Sequence, residues 1–519
     1  RTIGVHLWAG DCEPGCGGAG RGDGLRCWQD PSQRSATRGA HVSGNKSLRL
    51  GLPVIVAAAA VAACGSTGSG TTASVTATTG VAPTSASASP SQPPTPTLEW
   101  QIPQEQLAKD DDIEAYTAAS SLNPGQPLDL YVSANGPVTV RAFRIGDYQG
   151  AGATEVYKGQ PVPASKQNGI VRDPNTRAAS APWERTATIP TTGWQPGFYL
   201  VQISDGTKRR NVPMVVRSPD TKGKVVVVAG DTTWQAYNSW GGRSLYKGPD
   251  GFSDRAYAAS FDRPYSSADW EIWFDFDIPV ARAAERSGVP VAYRSVSDLA
   301  LDPGALEGTL GVVSNGHDEY WPVPYRDALV KARDGGSNLA FLGANAGYWR
   351  VRLETTSQGP GRLVVGYKSA EADPVKNSQD TTARWRDSPD AKPENTVVGN
   401  YYDCYPSSGD MTIVRPEFFL FQGTGVTAGS QLPGLVGNET DRAYARADTP
   451  RPIEVPAISS LKCQDTTSYS TIAYYTVPSG AGVFAAGTMS WTRGLTGVRP
   501  DQGLTQASAD FTTKVTDTL

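Results

Sequence analysis

Histidine is scarce in this chain. The 519 residues hold three, His6, His41 and His317, and only His317 lies beyond the apolar segment near residue 50. Multi-histidine zinc or copper sites are thereby excluded, and any metal must be held by oxygen, which favours hard cations. Methionine is equally rare, at 3 residues. No block of lysine or arginine occurs and the net charge is −4, so the clustered cationic footprint that nucleic acid demands is missing. Familiar catalytic strings are missing too. From residue 65 onward there is no Gly-x-Ser-x-Gly elbow, no His-Glu-x-x-His and no phosphate-binding loop.

Long apolar runs are also lacking, with one exception, Leu50 to Ala63. It falls short of the roughly 20 residues that a membrane-spanning helix needs. Arg38, Lys46 and Arg49 precede it, and it ends Val61-Ala62-Ala63-Cys64-Gly65. A charged stretch followed by an apolar one and small residues reads as a secretory signal, and the ending resembles a bacterial lipobox. That resemblance implies cleavage before Cys64 and a lipid on its thiol, holding the protein on the outer face of the cytoplasmic membrane or elsewhere in the envelope. Residues 1–64 are therefore read as an upstream segment plus signal. Residues 65–97, rich in Ser, Thr, Ala and Pro, are read as a disordered tether. Cys12, Cys16 and Cys27 lie upstream of the signal, which leaves Cys404 and Cys463 in the exported body. An even pair in an oxidising compartment predicts a disulfide, with two free buried thiols as the alternative.

Two grammars follow. Over 98–220, short alternating segments are broken by turn residues: Leu128 to Val132 and Val138 to Arg144 flank Asn135-Gly136, and Gly197 to Ile203 and Asn211 to Arg217 flank Asp205-Gly206. Such spacing predicts hairpins in an immunoglobulin-like β-sandwich. Over 221–519 the pattern opens with the continuous apolar run Val225 to Gly230, as in a strand buried on both faces. Helical and strand-like stretches then alternate as far as Leu342, which predicts an α/β domain with an open, mostly parallel sheet and helices on both faces. Beyond about Val351 the pattern loosens into Gly- and Pro-rich loops and short strands such as Leu363 to Tyr367, with a final apolar strand at Gly482 to Gly487.

In such sheets ligands bind beyond the carboxyl ends of the strands. Three clusters fall there by this reading: Asp231 to Tyr246, Asn315 to Trp321, and Gly343 to Trp349. Within them, Tyr237-Asn, Ser244-Leu-Tyr246, His317-Asp-Glu319-Tyr and Gly343-Ala-Asn345-Ala-Gly-Tyr-Trp resemble the large subunit of N,N-dimethylformamidase, over about 222–500. That family holds a mononuclear ferric ion on two tyrosinates and a glutamate. The resemblance implies Fe(3+) as cofactor, with Tyr237, Tyr246 and Glu319 as ligands and Tyr257 and Tyr265 as alternatives to Tyr246. It further implies site roles for His317 and Asn345, and for a glutamate matched to Glu439.

Two phenolates and a carboxylate neutralise a trivalent ion, so such a site can be buried without stranded charge. The reading is a surface-tethered, iron-dependent amidohydrolase acting on a small amide. The rival is a non-catalytic envelope lipoprotein that binds carbohydrate or wall polymer against the aromatics of the crevice, of which Trp240, Trp321 and Trp349 read as walls or core rather than as platforms. A hydrolase of the glutamine-amidotransferase type would need a cysteine at a strand-to-helix elbow, and none stands there.

Overall fold

A computed structural model describes residues 96–519, apart from 270 and 378. The upstream segment, the signal with Cys64 and all of the tether before residue 96 lie outside the described residues. Residues 91–519 fall in one compact unit.

The segment expected to be a sandwich forms a three-stranded sheet, Ile113–Thr117, Leu128–Ala134 and Ala187–Ile189, and a five-stranded one built around Gly197–Ser204 and Arg209–Val216. Asp205-Gly206 does turn a hairpin between those last two strands. Asn135-Gly136 does not. Leu128–Ala134 pairs with Ile113–Thr117 in one sheet, while Thr139–Ile145 pairs with Gly197–Ser204 in the other. The connection therefore crosses between sheets.

The largest sheet has seven strands, in the order Val291–Ser295, Val225–Ala229, Gly311–Ser314, Asn338–Phe341, Gly482–Ala485, Thr466–Thr476, Ile453–Cys463. The first five run parallel and the last two are antiparallel. Val226, Val228, Val312 and Leu339 are buried against the helix Val323–Asp334 and its neighbours, and Val227 and Ala229 face the opposite core. The helix Trp273–Ser287 stops at Gly288, whose φ of 76° is the left-handed geometry glycine tolerates best. Ser295 and Asp298 cap Val296–Leu301 reciprocally.

The expected division into an immunoglobulin-like sandwich and an open, mostly parallel α/β sheet gives way to a mostly β molecule. Strand makes up 36% and helix 20%, spread over small mixed and antiparallel sheets. The parallel strands are only four or five residues long. The stretch read as loops and short strands instead carries antiparallel strands of 11 or 12 residues: Tyr401–Thr412, Gln431–Arg442, Ile453–Cys463 and Thr466–Thr476. Pro406, Pro433 and Pro456 sit inside three of these, at irregular registers. Proline at edges and bulges is compatible with a strand yet erases its signature in the sequence. Cys404 and Cys463 are bonded, Cα atoms 5.7 Å apart, and join two of these long strands. Among the described residues no helix is long and apolar enough to cross a membrane.

Candidate active site

The site forms where the parallel strands end. Val225–Ala229 passes through Gly230 into the helix Asp231–Tyr237, which delivers Tyr237 at its last turn. Tyr246 returns from the loop that follows, with its neighbour Leu245 bonded through N–H to Ala236 O at 3.0 Å. Gly311–Ser314 leads to His317 and to Glu319, which stands just before Tyr320–Pro322. Asn338–Phe341 leads to Asn345. Glu439 comes from elsewhere, from the long strand Gln431–Arg442.

Two glycines let the strand-end loops meet. A Cβ on Gly343 would sit 1.9 Å from Gly316 O, and one on Gly316 would sit 2.5 Å from the Phe276 ring. These are backbone and core contacts with no room for a methyl group. Asp277, in the helix Trp273–Ser287, ties two of the loops together: it accepts from Gly230 N at 2.9 Å and from Asn315 Nδ2 at 2.9 Å.

Glu319 is the centre of the cluster. The Tyr237 hydroxyl donates to its Oε2 at 3.0 Å, the Tyr246 hydroxyl donates to Oε1, and Asn345 Nδ2 donates to Oε1 at 3.2 Å. The two tyrosine oxygens are 3.4 Å apart, and His317 Nε2 lies 3.0 Å from the Tyr237 hydroxyl. Glu319, His317 and Asn345 are buried, and the two tyrosines are half-buried with their hydroxyls turned inward. Asn345 carries φ 59°, uncommon for a non-glycine residue, and Asp441 holds its N–H with both carboxylate oxygens at 2.9 and 3.1 Å. It therefore both makes a left-handed turn and reaches Glu319.

The electrostatics follow from crowding acids in a dry place. Burial first, then the Glu319 carboxylate, pushes the Tyr237 and Tyr246 hydroxyls well above the usual tyrosine range. Burial and Glu319 likewise push the Glu439 carboxyl well above the usual carboxylate range. Burial lowers His317 and favours the neutral imidazole.

All six residues singled out from the sequence, Tyr237, Tyr246, Glu319, His317, Asn345 and Glu439, thus fall in one cluster. The alternatives do not join it: Tyr257 stacks on Tyr367 with ring centres 4.9 Å apart, and Tyr265 packs against Trp273 at 5.0 Å. The sequence reading missed Lys368, whose Nζ lies 3.2 Å from the centre of the Tyr246 ring and 4.7 Å from that of Trp349. It also missed Asp441 and Asp277. None of the three stands in a strand-end string, and only long-range pairing brings them in. Trp321 and Trp240 are buried in packing, while Trp349 flanks Tyr246 with Nε1 3.4 Å from its hydroxyl.

The reactive groups here are buried phenols and carboxylates, a class of site distinct from the cysteine and multi-histidine kinds. The chain belongs to the family described as N,N-dimethylformamidase beta subunit-like, C-terminal, whose model matches residues 139–506. The match begins inside the amino-terminal pair of sheets, so the likeness reaches further upstream than the strand-end motifs suggested. Among curated proteins, none matches the chain. Membership supports an amide hydrolase.

Proposed function

We propose that the protein hydrolyses an amide or related carbon–nitrogen bond with a ferric ion held by Tyr237, Tyr246 and Glu319. The observation that carries this reading is the convergence of two tyrosine hydroxyls and one carboxylate within hydrogen-bond reach of each other. Among the described residues no group of three or more His, Cys, Asp or Glu could hold a metal, so a metal here would depend on the phenols. The donor set fits a hard trivalent ion: every donor is oxygen, and three negative charges would balance the cation in a buried place. Asn345 Oδ1 is a buried polar atom without a protein partner beside the cluster.

A bound ferric ion would supply Lewis-acid polarisation of the amide carbonyl and acidification of water. The chain's own groups would do the rest. Asn345 and His317 flank Glu319 and orient the substrate or its developing oxyanion. Glu439, beside Glu319 and Asn345, would pass a proton to the nitrogen of the leaving amine. Phe276, its ring centre 5.5 Å from that of His317, and Trp349 help to exclude bulk water. The substrate reading is a small amide. The body would work outside the cytoplasm, tethered by lipid on Cys64, and the Cys404–Cys463 bond suits an oxidising compartment.

The test is the metal content and colour of the purified chain. One iron per molecule is expected, with a visible tyrosinate-to-iron charge-transfer band. Tyr237→Phe should shift or weaken that band, and Glu319→Ala should release the metal. A colourless, iron-free protein after reconstitution under oxidising conditions would overturn the reading and leave carbohydrate binding as the better account.

A further inference from the structure

The segment that joins the two tyrosines, from the last helical turn at Tyr237 to Tyr246, is wrapped around a buried arginine. Arg263 is only 1% exposed, and among the described residues it forms no ion pair with a carboxylate. Its guanidinium points into the loop instead. Nε donates to Ser260 O at 3.1 Å and to Gln235 Oε1 at 3.4 Å. Nη1 donates to Trp240 O at 3.0 Å and Arg243 O at 3.4 Å. Nη2 donates to Gln235 O at 3.1 Å and Asn238 O at 2.9 Å. All of the donors an arginine owns are used, and four of the acceptors are backbone carbonyls within 235–243.

Burying a cation with no carboxylate in contact is costly: burial pushes the Arg263 guanidinium down to about 10, against the opposing pull of Asp269. An arrangement so expensive is expected where the aligned carbonyl dipoles must be held in one geometry. Three of the carbonyls that Arg263 gathers, Asn238, Trp240 and Arg243, belong to the turns between Tyr237 and Tyr246, and a fourth, Gln235, lies in the helical turn that presents Tyr237; the two tyrosine ring centres are 4.7 Å apart. Lysine could not replace it, because a point charge with three donors lacks the planar fork that reaches both sides of the loop.

We infer that Arg263 is the positioning residue of the tyrosine pair: its guanidinium is the template on which residues 235–246 fold, and it sets the spacing of Tyr237 and Tyr246. The use of that spacing for iron rests on the function proposed above, whereas the templating itself does not.

The experiment uses the full chain with metal removed and measures amide hydrogen exchange for Arg263→Lys and Arg263→Ala. Loop templating predicts that exchange in 235–246 rises about tenfold or more while the sheet strands Val225–Ala229 and Gly311–Ser314 keep their protection. Guanidinium ion, but not sodium at equal ionic strength, should restore protection of the loop in Arg263→Ala by refilling the vacated space. Reconstituted with iron, Arg263→Lys should show a weakened charge-transfer band that guanidinium does not rescue. Unchanged loop exchange, or a loss of protection spread evenly over loop and strands in both variants, would overturn the inference. If the wild-type chain takes up no iron, the proposed function fails while the exchange measurement still decides the role of Arg263.

Discussion

Glu439 shows how a single side chain can carry a role from outside the strand-end strings. Its carboxyl is buried beside Glu319 and Asn345. Replacing it with glutamine keeps the shape and removes the proton that could be given away. Glu439→Gln is expected to lower turnover of simple N-alkyl amides by roughly 10²–10⁴-fold while iron content stays at the wild-type level. Parallel measurement of turnover and bound iron checks this, and loss of the metal would instead make Glu439 part of the ion's own surroundings. Tyr237 and Tyr246 could be chosen at this scale only through their neighbouring residues. One tyrosine among 21 carries no mark of its own.

Elements meet at the site through backbone contact and through one covalent link. Gly343→Ala would drive a methyl group into Gly316 O, and neither neighbour is a flexible side-chain tip. The expected cost is about 3 kcal/mol of stability, with Asn345 and His317 displaced. Denaturant unfolding and the iron content of the variant are the measurements, and an unchanged midpoint would show that the two loops can separate freely. The Cys404–Cys463 bond closes a separation of 59 residues between two long strands. Loop-entropy reasoning puts its contribution near 4 kcal/mol, so reduction should lower the denaturation midpoint. It should do so without abolishing the tyrosine cluster, which lies on other elements.

At the scale of the whole molecule, buried acids set the response to pH. Burial pushes Asp231 to about 6 and Asp277 and Glu271 to about 7. The corresponding unfolded values lie near ~4. The folded chain therefore binds these protons more tightly. Their contribution to stability is fully present below about pH 4 and is lost as pH rises through 6 to 7. Carboxylates held low by partners, such as Asp373 beside Thr382 and Arg352, act in the opposite sense and lose their contribution only in strong acid. The metal-free protein should thus melt at a higher temperature at pH 5 than at pH 8, and lower again below pH 4. Thermal scans across that range test this, and a midpoint that climbs steadily to pH 8 would contradict it. For the envelope tether, mass spectrometry of the membrane fraction should find Cys64 lipidated and nothing before it. An unmodified peptide running through Cys64 would refute the anchor.

What the sequence determined by itself was local. Apolar runs marked the strands Val225–Ala229, Asn338–Phe341 and Gly482–Ala485, and Gly288 marked the stop of a helix. The strings at the strand ends marked three segments, and family likeness singled out the clustered residues, five within those segments and Glu439 beyond them. These signals survive in one dimension because burial on both faces and left-handed turns each constrain residue type at the position itself. The tertiary structure decided the balance of the fold, since antiparallel strands interrupted by Pro406, Pro433 and Pro456 are defined by their partners rather than by alternation. It also decided the support of the site. Lys368 over Tyr246, Asp441 under Asn345, Asp277 between two loops and Arg263 inside the tyrosine loop all act across distances in sequence that only folding closes. A hydrogen bond or a buried charge is a property of a pair, and a linear pattern records only one member of it.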